Sequence, residues 1–290
     1  MEIIRTTAWM KQVARYARAK ERVLGLVPTM GALHEGHFSL VREAQKQCSP
    51  VAVSIFVNPA QFGPGEDFKK YPRTFDADIA ALEKLRVDYV FAPPPEEIYP
   101  PGFRTAVIVE GLGEVLEGRV RPGHFRGVTT VVAKLFEIAQ PRLAFFGRKD
   151  AQQARIIRQM AADLNLDAEI VVCPIVREAD GLAMSSRNAY LKGSERQAAT
   201  ALYRSLDAAR REIAKGERDA ASLIAVMRAV LDAEPGVTPG YVEIVDADTF
   251  EHVVSLRKSC YALVAARVGA TRLIDNAFIE QDGESFSVSL

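Results

Sequence analysis

The sequence predicts an α/β protein: a Rossmann-like domain on a parallel sheet, then a smaller α+β domain. Three observations carry that expectation. Strand-like and helix-like stretches alternate through the first two-thirds of the chain, the pattern of repeated strand–helix–strand units. The strand-like stretches are almost continuously apolar, as strands covered on both faces are. The last third changes character, with two long Ala- and Arg-rich helices followed by a run of strands.

In chain order, residues 23–27 read as a buried strand and 36–47 as a helix, with Leu40, Val41 and Ala44 at helical spacing. Residues 51–57 form a second strand, and 76–85 an amphipathic helix carrying Ile79, Ala80 and Leu82. A short strand at 89–91 runs into the triple proline 93–95. Helix 128–139, strand 143–146, helix 152–164 and strand 170–172 complete the alternation. Beyond Pro174 come helices at 195–215 and 220–233, then strands at 241–245, 261–266 and 271–274. The polar tail, 281–290, reads as loose. A chain of 290 residues suggests about two domains, 1–175 and a lid-like 176–290. In open parallel sheets, ligands sit at the carboxyl ends of the strands, so the loops after Val27, Val57, Phe146 and Val172 are expected to face one cleft.

Lys and Arg number 37 and Asp and Glu 37, so there is no net charge to draw the chain to nucleic acid or to an anionic membrane. With 48% hydrophobic and 26% charged residues, whole-chain disorder is excluded. Cys48, Cys173 and Cys260 are odd in number and far apart, which speaks against a zinc site or a disulfide scaffold and fits a reducing compartment. Residues 1–20 carry charges throughout and do not read as a signal peptide. No stretch reaches 18 uninterrupted apolar residues, so no membrane span is expected and a cytoplasmic location is.

Four loops carry polar chemistry. In PTMGALHEGH (28–37), a strand runs through Gly31 into a helix opened by His34, Glu35, Gly36 and His37. Unpaired N–H groups and the dipole at such a helix start attract phosphate, and the imidazoles can donate to it. The alternative is a turn with one capping histidine, and the spacing is not that of an HExxH zinc site. FVNPAQF (56–62) ends a strand in Asn58 and Gln61, whose uncharged amides suit a hydroxylated carboxylate; it can also be a plain turn. FGRKDAQQ (146–153) offers Lys149 as a point charge for phosphate, Asp150 for ribose hydroxyls, and Gln153 one turn on; Asp150 can equally be a helix cap. READGLAMSSRN (177–188) brings Ser185, Ser186 and Arg187 as a flexible phosphate-seeking loop, or a polar linker. His124, between Arg121 and Arg126, can touch phosphates or only shape the cleft, and the second reading is favoured.

These motifs, with YPRTFDAD (71–78) and RPGHFRGV (121–128), occur in an order that resembles the pantoate–β-alanine ligase family along nearly the whole chain. HxGH alone marks a wider class of nucleotidyl-transfer enzymes, whereas the ordered set is specific to the ligases. Arg148 and Ala151 depart from the family's usual Glu and aromatic residue.

The resemblance implies a two-step reaction. Pantoate attacks the α-phosphorus of ATP, giving a pantoyl-adenylate, and β-alanine then displaces AMP. It implies catalytic roles for His34, His37, Lys149, Ser185, Ser186 and Arg187, with His37 as proton donor. It also implies an ATP site of Met30, Gly31, Ala32, Leu33, His34, Glu35, Gly36, His37, Gly147, Arg148, Lys149, Asp150, Val176, Met184, Ser185, Ser186 and Arg187. Gln61 and Gln153 would bind substrate with Asn58 in support, Mg²⁺ would arrive with ATP, and Asp78 would touch metal or β-alanine. A homodimer is implied as well. The rivals are an adenylyltransferase acting on a mononucleotide, a tRNA-binding synthetase relative and a non-catalytic ATP-binding regulator. The amide-lined substrate set, the neutral charge and the intact His34, His37, Lys149 and Arg187 speak against them in turn.

Overall fold

The computed structural model describes residues 1–283 and 285–290, and the chain divides into two compact units, Met1–Pro174 and Ile175–Leu290. In the first unit, β1 (Glu2–Ile4) leads to α1 (Thr7–Ala19), β2 (Gly25–Thr29) to α2 (Glu35–Gln47), and β3 (Val51–Ile55) to α3 (Phe75–Lys84). After β4 (Tyr89–Phe91) come two single turns, α4 (Pro95–Ile98) and α5 (Glu117–Val120). The long α6 (His124–Ala139) precedes β5 (Leu143–Gly147), α7 (Ala151–Asp163) and β6 (Glu169–Cys173).

All strand pairs are parallel, in the order β1-β4-β3-β2-β5-β6. From β2 the chain builds outward through β3 and β4, and β5 then starts the other side. The strand order therefore reverses between β2 and β5, the place where open parallel sheets open a crevice. Successive strand residues feed opposite cores, as a period of two requires. Leu26, Ala52, Ala144 and Phe146 pack with Met10, Val128 and Ile157, while Val27, Val53 and Phe145 pack with Leu40, Val41 and Leu82.

Two elements of this unit were not legible as such. Residues 1–20 hold β1 and α1, whose Met10, Val13, Ala14 and Ala17 lie on one buried stripe and whose Thr6 caps the Trp9 N–H. Strand β2 also runs on through Pro28 to Thr29; its ladder to β5 ends at Leu26, before the proline that has no N–H to give.

The second unit stacks α8 (Ser194–Ala198), α9 (Ala201–Ala214) and α10 (Ala220–Asp232) with an antiparallel sheet. Its strands are β7 (Val237–Asp246), β8 (Cys260–Val268), β9 (Thr271–Asp282) and β10 (Ser285–Ser289), in the order β10-β9-β8-β7. Leu202, Leu206, Leu223 and Met227 pack on Ile244, Val264 and Ile279. The expected single helix 195–215 is broken between Ala198 and Ala201, where the Thr200 hydroxyl donates to the Gln197 carbonyl (2.8 Å). The tail read as loose is instead strand: β9 extends to Asp282 and β10 pairs back along it from Ser285 to Ser289. Its alternating Phe286 and Val288 lie against the core, a signal hidden by the serines between them.

Candidate active site

The loop after β2 delivers the two histidines. His34 is the N-cap of α2, and its Nδ1 accepts from the Gly36 N–H (3.1 Å). His37 reaches back so that its Nδ1 accepts from the His34 N–H (3.3 Å), closing a reciprocal box. A backbone N–H can only donate. Both Nδ1 atoms therefore carry a lone pair, and each neutral ring holds its proton on Nε2. The ring centroids are 4.1 Å apart. Burial, then His34, then the charge of Lys149 push the His37 pKa down to about 3, so at neutral pH its ring is an uncharged N–H donor.

The expectation of open backbone donors at the helix start is narrowed: two N–H groups of its first turn, and two of the loop before it, are engaged within the protein. The Gly36 N–H is spent on His34 Nδ1, and the His37 N–H on the His34 carbonyl (2.8 Å). The Ala32 and Leu33 N–H groups are spent on the two oxygens of Asp78, each at 2.9 Å. Asp78 is 4% exposed and also accepts from the Thr74 hydroxyl at 3.0 Å. Asp78, expected to touch metal or β-alanine, is thus buried and turned toward the loop: three of its acceptor positions brace Ala32, Leu33 and Thr74. In the loop it holds, Gly31 and Ala32 take left-handed backbone, with φ of +80° and +50°.

Beside β3, Gln61 sits on a turn of 3-10 helix, Pro59–Gln61, and its Nε2 donates to Met30 Sδ (3.2 Å). Asn58 is 1% exposed and stands behind Gln61. Its Nδ2 donates to Gln61 Oε1 (3.0 Å) and to the Gly127 carbonyl (3.1 Å), and its Oδ1 accepts from the Ala60 N–H and from the Tyr99 hydroxyl (2.8 Å). With both amide atoms occupied, Asn58 orients Gln61 and has no polar group left for a substrate. Burial pushes the Tyr99 hydroxyl up to about 12, so it stays a donor.

His124 braces the same turn. Arg121 Nη1 lies 3.1 Å from its Nε2 and can only donate, so its Nδ1–H donates to the Gln61 carbonyl (2.9 Å). Burial and the Arg121 charge push the His124 pKa down to about 4. Arg121 also grips Glu66 with two bonds of 2.7 Å. Burial alone would raise the Glu66 pKa, but those bonds hold it below the usual range.

Across the reversal point, the end of β5 supplies Gly147, and a single 3-10 turn holds Arg148, Lys149 and Asp150. A side chain at Gly147 would meet nothing within 4 Å, so its backbone is open to an approaching group. Lys149 Nζ is 3.9 Å from Asp150, and its charge reaches His37. Asp150 begins α7 without capping any N–H through its side chain. Gln153 is half-buried on the first turn of α7. Its neighbour Gln152, not singled out from sequence, is buried and ties down residues 112–117, bonding the Glu117 N–H and the carbonyls of Leu112 and Val115. The doublet hides which glutamine faces inward, and only helix phase separates them.

In the second unit, the first part of READGLAMSSRN, residues 177–184, forms a hairpin, and Ser185, Ser186 and Arg187 follow it. The Met184 N–H donates to the Val176 carbonyl and the Glu178 N–H to that of Leu182, with the bend at Gly181 (φ +92°). Arg177 anchors it with bonds to Asp275 (2.7 and 3.0 Å) and lies over the Tyr203 ring. Asn188 Nδ2 donates to Glu178 and to the Ala183 carbonyl. Ser185 Oγ accepts from the Arg187 N–H (3.3 Å), which starts the 3-10 helix Ser186–Tyr190.

Among the described residues, no group of three His, Cys, Asp or Glu could hold a metal ion, and no helix is long and apolar enough to cross a membrane.

A parallel sheet with a paired-histidine loop and a lysine turn flanking its reversal point defines a nucleotidyl-transfer fold of the HxGH class. Residues 2–278 match the family described as Pantoate-beta-alanine ligase, and the chain belongs to that family. Pantothenate synthetase of Roseiflexus castenholzii is 55% identical over 267 residues, covering 92% of this chain and 96% of its own. The crystal structure of pantothenate synthetase from Thermus thermophilus superposes with a TM-score of 0.91 at 44% identity, covering 95% of this chain and 98% of that one. A pantoate-beta-alanine ligase from Francisella tularensis, complexed with Beta-gamma ATP and beta-alanine, superposes with a TM-score of 0.77 at 34% identity, covering 95% and 97%.

Proposed function

We propose that this chain joins pantoate to β-alanine at the expense of ATP, through a pantoyl-adenylate. In the first step a pantoate carboxylate oxygen bonds the α-phosphorus, and the bond from that phosphorus to the β-phosphate bridge breaks, releasing pyrophosphate. In the second, the β-alanine nitrogen bonds the acyl carbon, the carbon–oxygen bond to AMP breaks, and the amine's proton passes to solvent.

The observation that carries the reading is the locked histidine pair beside Lys149 at the sheet's reversal point. Two Nε2–H donors with fixed tautomers and one ammonium meet the charge that grows on a transferring phosphoryl group at little reorganisation cost. His37 acts first as a neutral donor. It can protonate a leaving group only after bound phosphate raises its pKa. Gly147 and Asp150 hold the ribose, and groups near Val176 and Met184 hold the adenine. Ser185, Ser186 and Arg187 hold the outgoing phosphates. Gln61 and Gln153 hold pantoate, with Asn58 acting through Gln61. Mg²⁺ would arrive with ATP and would screen the charge of its phosphates. The enzyme works in the cytoplasm as a homodimer; sedimentation of the purified chain at twice its mass supports the dimer, and at its own mass refutes it.

The test is AMP release from ATP with pantoate and β-alanine omitted in turn. One AMP per pantothenate, formed only when both are present, supports the reading. AMP formed without β-alanine, or none from folded protein that binds ATP, overturns it.

A further inference from the structure

We infer that Asp78 is a positioning residue for the nucleotide step: it sets the histidine pair through the backbone of Ala32 and Leu33. The inference rests on the ligase reading above. Asp78 lies on the first turn of α3, far in sequence from the loop it holds. Its Oδ2 accepts from the Ala32 N–H, and its Oδ1 from the Leu33 N–H and the Thr74 hydroxyl. Two consecutive N–H groups converging on one carboxylate form a small anion-binding nest. In this chain the anion is the protein's own.

Two consequences follow from the geometry. First, the nest is already filled, so the Ala32 and Leu33 N–H groups are not offered to the phosphates of a nucleotide, which shifts demand to His34, His37 and Lys149. Second, the loop has little reason to keep its shape unaided. Ala32 holds φ +50°, a left-handed conformation in which its β-carbon crowds the following carbonyl oxygen. Gly31 lies so close that a β-carbon there would stand 3.1 Å from Asp78 Oδ2. The residue after Leu33 is His34, whose backbone N–H must point at His37 Nδ1 for the box to close. Releasing Leu33 therefore turns the peptide that feeds the box and frees both rings to change tautomer and direction.

Asp78→Asn is the sharp test, because it keeps shape and removes only one acceptor. Whichever way the amide is turned, one loop N–H then faces an NH₂ group. The prediction is a fall of at least 30-fold in kcat/KM for ATP in pantoate-dependent pyrophosphate exchange, with the KM for β-alanine changed less than threefold. The ¹⁵N signals of His34 and His37, which report a single Nε2–H tautomer in the parent, are expected to average between tautomers in the variant. Thr74→Val, which keeps the carboxylate and removes one donor, should give a smaller change of the same kind, restored in Thr74→Ser. Should Asp78→Asn fail to fold, the Thr74 pair decides. Parent-like exchange with unchanged ring signals overturns the inference. So does a selective rise in the β-alanine KM, which would make Asp78 a substrate contact. If the parent itself shows no ligase reaction, the ligase reading fails, and the ring signals still judge the clamp by themselves.

Discussion

His37 performs two tasks with two atoms, and substitution can separate them. Nδ1 closes the helix cap, and Nε2–H is the donor offered to phosphate. Asparagine can supply an acceptor near Nδ1 but nothing at Nε2, while glutamine can supply the far N–H without the near acceptor. His37→Asn should keep its melting midpoint while pyrophosphate exchange drops by about 10²-fold, the usual scale for losing one transition-state donor. His37→Gln should lose about 1 kcal/mol of stability, as cap removals do, and keep more of the exchange rate. The reverse order, read from melts and exchange on the two variants, would refute this division. Lys149→Ala, which removes the charge beside His37, should lower turnover by about 10²-fold with the fold intact; an unchanged rate would remove it from the mechanism.

The substrate amides depend on how one helix meets one turn. Helix α6 passes so near the 3-10 turn of Gln61 that a β-carbon at Gly127 would lie 2.2 Å from the Ala60 carbonyl oxygen and 2.6 Å from Gln61 Cα. Those neighbours are backbone and cannot swing aside. Gly127→Ala should thus cost about 1–3 kcal/mol, the range for overpacking, and raise the pantoate KM severalfold as Gln61 is displaced from Asn58. A variant with parent-like melting and pantoate KM would show that the turn can slide freely. This glycine is a plain letter in RPGHFRGV; its meaning comes from residues nearly 70 positions earlier, brought against it by the sheet.

Across the whole molecule, His37 and His124 make stability depend on mild acid. Both folded pKa values, about 3 and about 4, lie below the ordinary 6.5. The unfolded chain therefore takes up protons first as pH falls. The contribution is complete above pH 6.5 and is lost between there and the folded values. By pH 5.5 each ring should have given up about 1 kcal/mol, together lowering the melting midpoint by several degrees. His124→Asn keeps a donor for the Gln61 carbonyl and removes one titration, so its midpoint should fall less steeply between pH 7.5 and 5.5. Equal slopes would refute the assignment. The three thiols are buried, and burial pushes each up to about 11. Native protein at pH 7.5 should resist alkylation at Cys48, Cys173 and Cys260, and all three should react in denaturant, as mass spectrometry would count.

The sequence by itself determined the strand–helix alternation and the loops that carry chemistry. Apolar periodicity and turn residues are local properties, and the order of motifs from Pro28 to Asn188 is written in the chain. It also made Lys149 and the histidine pair visible, because their residue types announce charge and hydrogen bonding. What those side chains bond to was decided only by tertiary structure. Asp78 and Asn58 read as substrate or metal contacts because polarity is visible in a sequence while burial is not; folding gave both to the backbone and side chains behind the site. The serine-rich tail read as loose because strand pairing is a property of two segments, and its partner is a separate strand. The tautomer of each histidine was likewise out of reach, since it depends on which N–H faces Nδ1 once the helix has formed.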